Sequence, residues 1–209
     1  MTRGRVVLAG LAGGVAMFLW ASLAHMVLPL GGVGITEISS NETALLDSMH
    51  QSLGNASGLY MFPSFGFSSG ASRSDAMKNY DAKLVTNPSG LLIYHPPGAK
   101  SLTPGLLLTE FLVELLEAML AVWLLAQTAI TSIGGRIGFV ATAGVLASLP
   151  TNVSYWNWYG FPGSYTASYM GIQIAGFIVA GIVAALVLRG RKTVSADSID
   201  RQHSQQVRV

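Results

Sequence analysis

The sequence contains no cysteine, which excludes disulfide bonds, a thiolate nucleophile and any cysteine-ligated zinc or iron–sulfur centre. Charge is also scarce: Asp, Glu, Lys and Arg make up only 11% of the 209 residues, whereas a soluble domain carries about 25%. There is no glycine-rich nucleotide loop and no basic patch interleaved with aromatics. One Gly-x-Ser-x-Gly pattern occurs, at residues 66–70, but it lies in a segment without hydrophobic periodicity that is predicted to be a loop. We therefore expect neither a nucleic-acid partner nor a hydrolase, and the sequence identifies no catalytic residue.

Hydrophobic residues are abundant instead and make up 51% of the chain. Four stretches are apolar over the roughly 20 residues that a helix needs to cross a bilayer. They are residues 6–30, 105–127, 137–156 and 165–188. The sequence therefore predicts an all-α membrane protein, a bundle of four transmembrane helices in contact with the lipid bilayer.

The short flanks of these stretches carry Arg3 and Arg5, Arg136, and the cluster Arg189, Arg191 and Lys192, whereas residues 157–164, between the third and fourth stretches, carry no charge. The positive-inside rule places these residues and both termini in the cytoplasm, with residues 31–103 outside. We expect the inner (plasma) membrane of a bacterium. As an alternative for the first span, Ser22 and Ala24 are suitably placed before the cleavage site of a signal peptide.

This topology divides the chain into four regions. They are the N-terminus with the first span (1–30), an extracytoplasmic cap (31–103), spans two to four (104–188) and a disordered cytoplasmic tail (189–209). Within the cap, residues 39–42 resemble a capping box that opens a helix, and Gly54 ends it. Residues 59–63 and 91–95 are β-prone and predicted to pair, and residues 75–84 to form one or two helical turns. We therefore expect a small α+β cap.

Three glutamates interrupt the second predicted span, at Glu110, Glu114 and Glu117. Their spacing of four and then three places them within about 60° of arc on a helix. A lipid-facing acid near the bilayer centre costs about 2.5–3.5 kcal/mol, so three cost about 8–10 kcal/mol. The leucines between residues 106 and 125 return only about 3–5 kcal/mol. We therefore predict that this stripe faces protein, water or a bound cation.

Other polar residues are predicted in the same outer half of the bundle. With Pro29 and Pro104 as outer boundaries, His25 lies about 6 Å deep and Glu110 about 9 Å deep, at a shared level. The further candidate site residues are Asn152, Tyr169 and Gln173. Pro150 removes one hydrogen bond from the third span and predicts a broken helix beside the site, a simple kink, or a helix that ends early at the surface.

Two chemical states would satisfy the glutamates, since no Lys or Arg lies within a predicted span. They are neutral, hydrogen-bonded carboxylic acids, or carboxylates neutralised by a cation. The cation is a proton in a relay or gate, or a divalent metal held by His25, Glu110 and Glu114. A quinone, a lipid or another small molecule is a further option, and acids that only fix the bundle geometry are another.

An aromatic group follows the third span, with Tyr155, Trp156, Trp158 and Tyr159 close together. It is typical of an interfacial belt, and its alternative role is a stacking wall for a flat ligand.

The runs His25-MVLPLG, Gly58-LYMFP, Gly90-LLIYHP and Trp156-NWYGFP resemble an uncharacterised family of small bacterial membrane proteins with four spans. The resemblance implies a bacterial inner membrane and a four-span topology. It implies no activity, cofactor or catalytic residue.

Three functional hypotheses follow. The first is a carboxylate-lined site that handles protons, a cation or a small ligand. The second is an accessory or assembly subunit of a larger membrane complex, or a homo-oligomer, which glycine-rich helix faces favour. These faces contain Gly10, Gly13, Gly14, Gly171, Gly176 and Gly181. The third is a membrane enzyme acting on a lipid or quinone.

Overall fold

The computed structural model describes residues 2–66, 70 and 72–189 of the chain. In this part the protein is mostly helical, with six helices and one two-stranded sheet. The elements are α1 (Arg3–Met26), α2 (Glu42–Leu53), β1 (Gly58–Phe62), α3 (Arg73–Thr86), β2 (Gly90–Tyr94), α4 (Pro104–Ala126), α5 (Ile133–Tyr159) and α6 (Gly163–Val187). The predicted disordered tail, except Arg189, lies outside the described residues.

Three of the described helices, α1, α5 and α6, are long and apolar enough to cross a membrane. This supports a membrane-embedded protein. Helix α4 has 23 residues, or about 35 Å at 1.5 Å per residue, but its three glutamates set it apart from the other long helices. Length and composition therefore support three of the four predicted spans.

Helices α1 and α4 run antiparallel and in very close contact. A Cβ added to Gly10 would lie 3.0 Å from the Cα of Met119, and one added to Gly14 only 2.7 Å from the Cα of Leu115. Further along, the rings of Phe18 and Phe111 meet edge to face with centroids 5.2 Å apart. Residue numbers rise along α1 as they fall along α4, which shows that the two helices lie side by side over most of their length.

Helix α6 packs antiparallel on the other side of α1. A Cβ added to Gly13 would lie 3.2 Å from the carbonyl oxygen of Ala180, and one added to Gly176 would lie 3.2 Å from Cγ of Met17. At the far end, the Arg5 guanidinium donates hydrogen bonds to the carbonyls of Val187 (2.7 Å) and Arg189 (2.6 Å), so the start of α1 adjoins the end of α6. Helix α1 is thus held between α4 and α6.

Helix α5 packs mainly on α6, away from the α1–α4 pair. It continues through Pro150 without interruption, from its cap at Ser132 to Gly160 in the left-handed conformation. The predicted broken helix is therefore wrong. A proline removes only one hydrogen bond from a helix, so the helix can continue past it, and Gly144 lies close against Phe177 of α6.

The segment between α1 and α4 contains α2, α3 and the hairpin. The predicted strands are confirmed: β1 and β2 pair antiparallel, with Gly58 opposite Tyr94 and Phe62 opposite Gly90. Helix α2 also forms as predicted and ends at Gly54, but Asn41 at its start makes no side-chain cap hydrogen bond. Helix α3 has 14 residues, longer than the predicted one or two turns. The Ser72 hydroxyl starts it by accepting the Asp75 N–H.

Candidate functional site

A cavity of about 170 Å³ lies between α1, α4 and α6. Each of these three helices contributes four residues to its wall at helical spacing. The lining residues are Met17, Trp20, Ala21 and His25 of α1, then Glu110, Val113, Glu114 and Glu117 of α4, then Tyr169, Ile172, Gln173 and Gly176 of α6. Six of the seven candidate site residues therefore line one cavity, and the glutamate stripe faces it.

Glu114 is the most buried acid of the stripe, with only 8% of its surface exposed. Its Oε2 atom is buried and has no hydrogen-bond partner within the described residues. Glu117 is half-buried and Glu110 is exposed at the cavity wall. An unsatisfied buried carboxylate oxygen is costly, so Glu114 has an unmet requirement for a proton, a cation or a hydrogen-bond donor.

The helix register sets the height of each group in the cavity. Three α1–α4 contacts fix the register of the two helices: Gly10 with Met119, Gly14 with Leu115 and Phe18 with Phe111. Extending this register places Val15 opposite Glu114 and Leu19 opposite Glu110. His25 lies six residues beyond Leu19 on α1, or about 9 Å further out along the helix. The predicted shared level of His25 and Glu110 is therefore wrong. Helix α1 ends at Met26, so residues 27–30 add no helical height above His25.

This offset bears on the predicted metal site of His25, Glu110 and Glu114. Among residues 2–66, 70 and 72–189, no three His, Asp or Glu side chains come together closely enough to hold a metal ion. The three residues line the same cavity but at different heights. The structure therefore does not bring the three predicted ligands together. Glu110 and Glu114 lie deeper along α4, whereas His25 lies near the C-terminal end of α1.

His25 is held by contacts to its own turn and to α6. Its Nδ1 lies 2.9 Å from the carbonyl oxygen of Ala21, which can only accept, so Nδ1–H is the donor of this hydrogen bond. The ring meets Tyr169 edge to face at 5.7 Å. Gly31 lies directly against this ring, with no room for a side chain. These contacts place His25 and Tyr169 at the end of the cavity that lies next to the C-terminal end of α1.

Trp20 is the principal site residue that sequence reasoning missed. Its Nε1–H donates a 2.9 Å hydrogen bond to the carbonyl oxygen of Ile172, which orients the indole beside the cavity. The pattern was present in the sequence, since Met17, Ala21 and His25 recur every four residues and Trp20 lies beside them on one face. Choosing that face required knowing where α4 and α6 pack.

Asn152 is the candidate that does not join the site. It lies on α5, which contributes no residue to the cavity wall. Its amide donates a 2.9 Å hydrogen bond to the carbonyl oxygen of Ser148 one turn earlier. The structure therefore places Asn152 away from the wall of this cavity: a shared depth along a bundle does not place two helices side by side.

The aromatic residues form a continuous series of ring contacts toward the cavity. Ring centroids are 5.3 Å apart for Tyr155 and Phe161, 5.5 Å for Phe161 and Tyr165, and 4.6 Å for Tyr165 and Tyr169. We call these four residues, with His25, the aromatic series. Trp156 and Trp158 take no part in it and are exposed, as an interfacial belt requires.

The outer end of the aromatic series borders a second, more apolar cavity of about 700 Å³. One wall is the hairpin, with Leu59 and Ile93, and the other is the end of α5 and the turn after it, with Tyr155, Tyr159 and Phe161. The two cavities are therefore connected by a row of aromatic side chains.

The opposite end of the bundle, near the start of α1, is closed by tight packing of small residues. Ala9, Ala118, Ala180 and Ala184 are all fully buried, and Val122 and Leu125 fill the space between them. In this conformation the carboxylate cavity therefore ends near the middle of the bundle.

Comparison of the chain with known protein families, with curated proteins and with solved structures finds no match.

Proposed function

We propose that this protein is a four-span membrane protein whose carboxylate cavity binds a proton or a small cation entering from the outer face. The observation that carries the proposal is the buried, unpartnered Oε2 of Glu114 in the wall of a cavity that two further glutamates line. Among the described residues no Lys or Arg lines this cavity, and His25 is the one basic side chain in its wall, so no permanent positive charge of the chain neutralises the three glutamates.

The side-by-side packing of α1 and α4 supports a fourth span. Helix α1 is apolar enough to cross the membrane, and α4 contacts it from Gly10–Met119 to Phe18–Phe111. A helix in such contact occupies the same depth as its neighbour. Leu108, Leu112, Leu116 and Leu120 of α4 are exposed, as a lipid-facing surface requires, while the glutamates turn to the cavity.

The direction of entry follows from the two ends of the cavity. Its outer end, at His25 and Tyr169, adjoins the segment between α1 and α4, and its inner end meets the buried alanines. The positive-inside rule orients Arg5 and Arg136 toward the cytoplasm, so the end of the cavity at His25 and Tyr169 faces outward. We therefore propose an outward-open binding site in the inner membrane of a bacterium, with both termini in the cytoplasm.

Dicyclohexylcarbodiimide tests this proposal, because it reacts with protonated carboxyl groups in apolar surroundings. We expect mass spectrometry of the treated protein to find the adduct on Glu114, and we expect its yield to fall at higher pH or on addition of a competing cation. The Glu114→Gln variant is expected to lose this adduct. Glu42→Gln is the matched control, since Glu42 is an exposed glutamate at the start of α2.

Equal modification of wild type and Glu114→Gln would contradict the proposal. So would an adduct on Glu114 whose yield responds neither to pH nor to any of the cations sodium, potassium, magnesium and choline.

The assembly-subunit hypothesis loses most of its sequence argument. Five of the six glycines that favoured it, Gly10, Gly13, Gly14, Gly176 and Gly181, pack against neighbouring helices of the same chain. Only Gly171 has open space around it. A quinone or lipid substrate has no corresponding support in the carboxylate cavity, whose three acids favour a cation.

A further inference from the structure

We infer that the ligand of the carboxylate cavity is an organic ammonium ion, held between Trp20 and the carboxylates of Glu110 and Glu114. This inference rests on the proposed cation-binding function and names the class of cation.

The chemistry of the wall favours an organic cation. Trp20, Tyr169 and His25 line the same cavity as the three glutamates. The face of an aromatic ring attracts a cation, most strongly for tryptophan, and alkylated ammonium groups are the ligands that such sites recognise. Register places Gln173 opposite Trp20, and both residues line the cavity at about the level of Glu110.

A bare metal ion suits this cavity less well. No three His, Asp or Glu side chains are grouped for a metal in the described part of the chain. The volume of about 170 Å³ is also larger than a single ion needs. A cavity of about 150 Å³ accommodates benzene, so the space here fits a group of that size, such as a trimethylammonium group.

The approach to the cavity has the same character. The aromatic series runs from Tyr155 through Phe161 and Tyr165 to Tyr169, with ring centroids 4.6–5.5 Å apart. It joins the apolar cavity of about 700 Å³ beneath the hairpin to the carboxylate cavity. A row of rings offers little to a hydrated inorganic ion, whereas an organic cation contacts it through both its charge and its alkyl groups.

Trimethylammonium groups also occur in lipid headgroups. A headgroup brings a phosphate, which the three glutamates would repel and no Lys or Arg of the cavity wall would pair with. We therefore favour a free ammonium compound over a lipid, and the experiment separates the two.

The test uses choline as the probe and 3,3-dimethyl-1-butanol as its uncharged analogue of the same shape. Binding to the full chain in maltoside detergent is measured by calorimetry at constant ionic strength. We expect choline to bind at least about tenfold more tightly than the alcohol, because the cavity interacts with its charge. Sodium, magnesium and dihexanoylphosphatidylcholine are the further arms, and none is expected to displace choline at equal concentration.

Variants assign the contacts. Glu114→Gln is expected to weaken choline binding about 30-fold or more, as for loss of one partner of a buried charge pair. Trp20→Leu is expected to weaken it about 3- to 30-fold, and Trp20→Phe, which keeps a ring, should restore much of that loss. Trp123→Leu is the matched control, since Trp123 is exposed on α4 away from the cavity, and it should leave choline binding unchanged.

Equal binding of choline and the alcohol would overturn the inference, as would displacement of choline by sodium, by magnesium or by the short-chain lipid. Choline binding that is unaffected by both Trp20 variants would also overturn it. If Glu114 still reacts with the carbodiimide in a pH-dependent manner in any of these cases, the proposed function stands and only the ligand class is wrong. Loss of both responses would remove both proposals.

Discussion

At the scale of single residues, stability and the proposed function make opposite demands on Glu114. A buried polar atom without a partner costs about 1–3 kcal/mol, and more when it is charged. The Oε2 atom of Glu114 is in this position in the described structure. A bound proton or cation would stabilise the folded protein and so offset the free-energy cost of the buried, unpartnered carboxylate.

Replacing Glu114 by leucine is expected to stabilise the protein and abolish choline binding. Leucine has a similar size and no polar atom, so the free energy of unfolding should rise by about 1–3 kcal/mol while choline binding is lost. Thermal unfolding in detergent, followed by circular dichroism, measures the first effect and calorimetry the second.

Glu42→Leu is the control, because Glu42 is exposed on α2 and its replacement should change the free energy of unfolding by less than about 0.5 kcal/mol. A Glu114→Leu protein that is less stable than wild type would show that Glu114 has a structural partner and would argue against an unmet charge.

At the scale of elements, glycines decide how the helices meet. Helix α1 contacts α4 through Gly10 and Gly14 and contacts α6 through Gly13. Gly10 and Gly14 are four residues apart and lie on one face of α1, whereas Gly13 lies on another face. One helix can therefore approach two neighbours closely. The cavity opens further out, where α1 carries Met17 and Trp20 instead of glycine.

Gly14→Ala tests this packing. Its Cβ would lie 2.7 Å from the Cα of Leu115, a backbone atom that cannot rotate away, so the two helices must separate. We expect the free energy of unfolding to fall by about 1–3 kcal/mol, measured by thermal unfolding in detergent.

Gly171→Ala is the matched control in α6, because a Cβ there meets nothing within 4 Å. Alanine is the better helix former, so this variant should gain about 0.5–1 kcal/mol. Equal behaviour of the two variants would contradict the close α1–α4 contact.

At the scale of the whole molecule, the decisive question is whether α4 crosses the membrane. With four spans, the segment between α1 and α4 and the turn between α4 and α5 lie on opposite sides. With three spans, they lie on the same side. The absence of cysteine makes the chain suitable for this test, since each introduced cysteine is the only one.

We expect Lys78→Cys, on exposed α3, to react with a membrane-impermeant maleimide in intact bacterial cells. Thr131→Cys, in the exposed turn before α5, should react only after the cells are permeabilised. Reaction of both cysteines in intact cells would rule out the fourth span and remove the membrane argument for the glutamate stripe.

The sequence by itself determined the properties that depend on neighbouring residues along the chain. Apolar length located α1, α4, α5 and α6, the β-prone runs located the hairpin, and a spacing of four and three put Glu110, Glu114 and Glu117 on one face. These features follow from helix and strand geometry, which is local.

Only the tertiary structure decided which helices adjoin and at what height. It brought Trp20 into the site, removed Asn152 from it, and moved His25 outward from Glu110, because α1 lies between α4 and α6 while α5 packs behind α6. The closed inner end likewise depends on alanines from three different helices meeting. Contacts between distant segments arise from packing, and no local spacing encodes them.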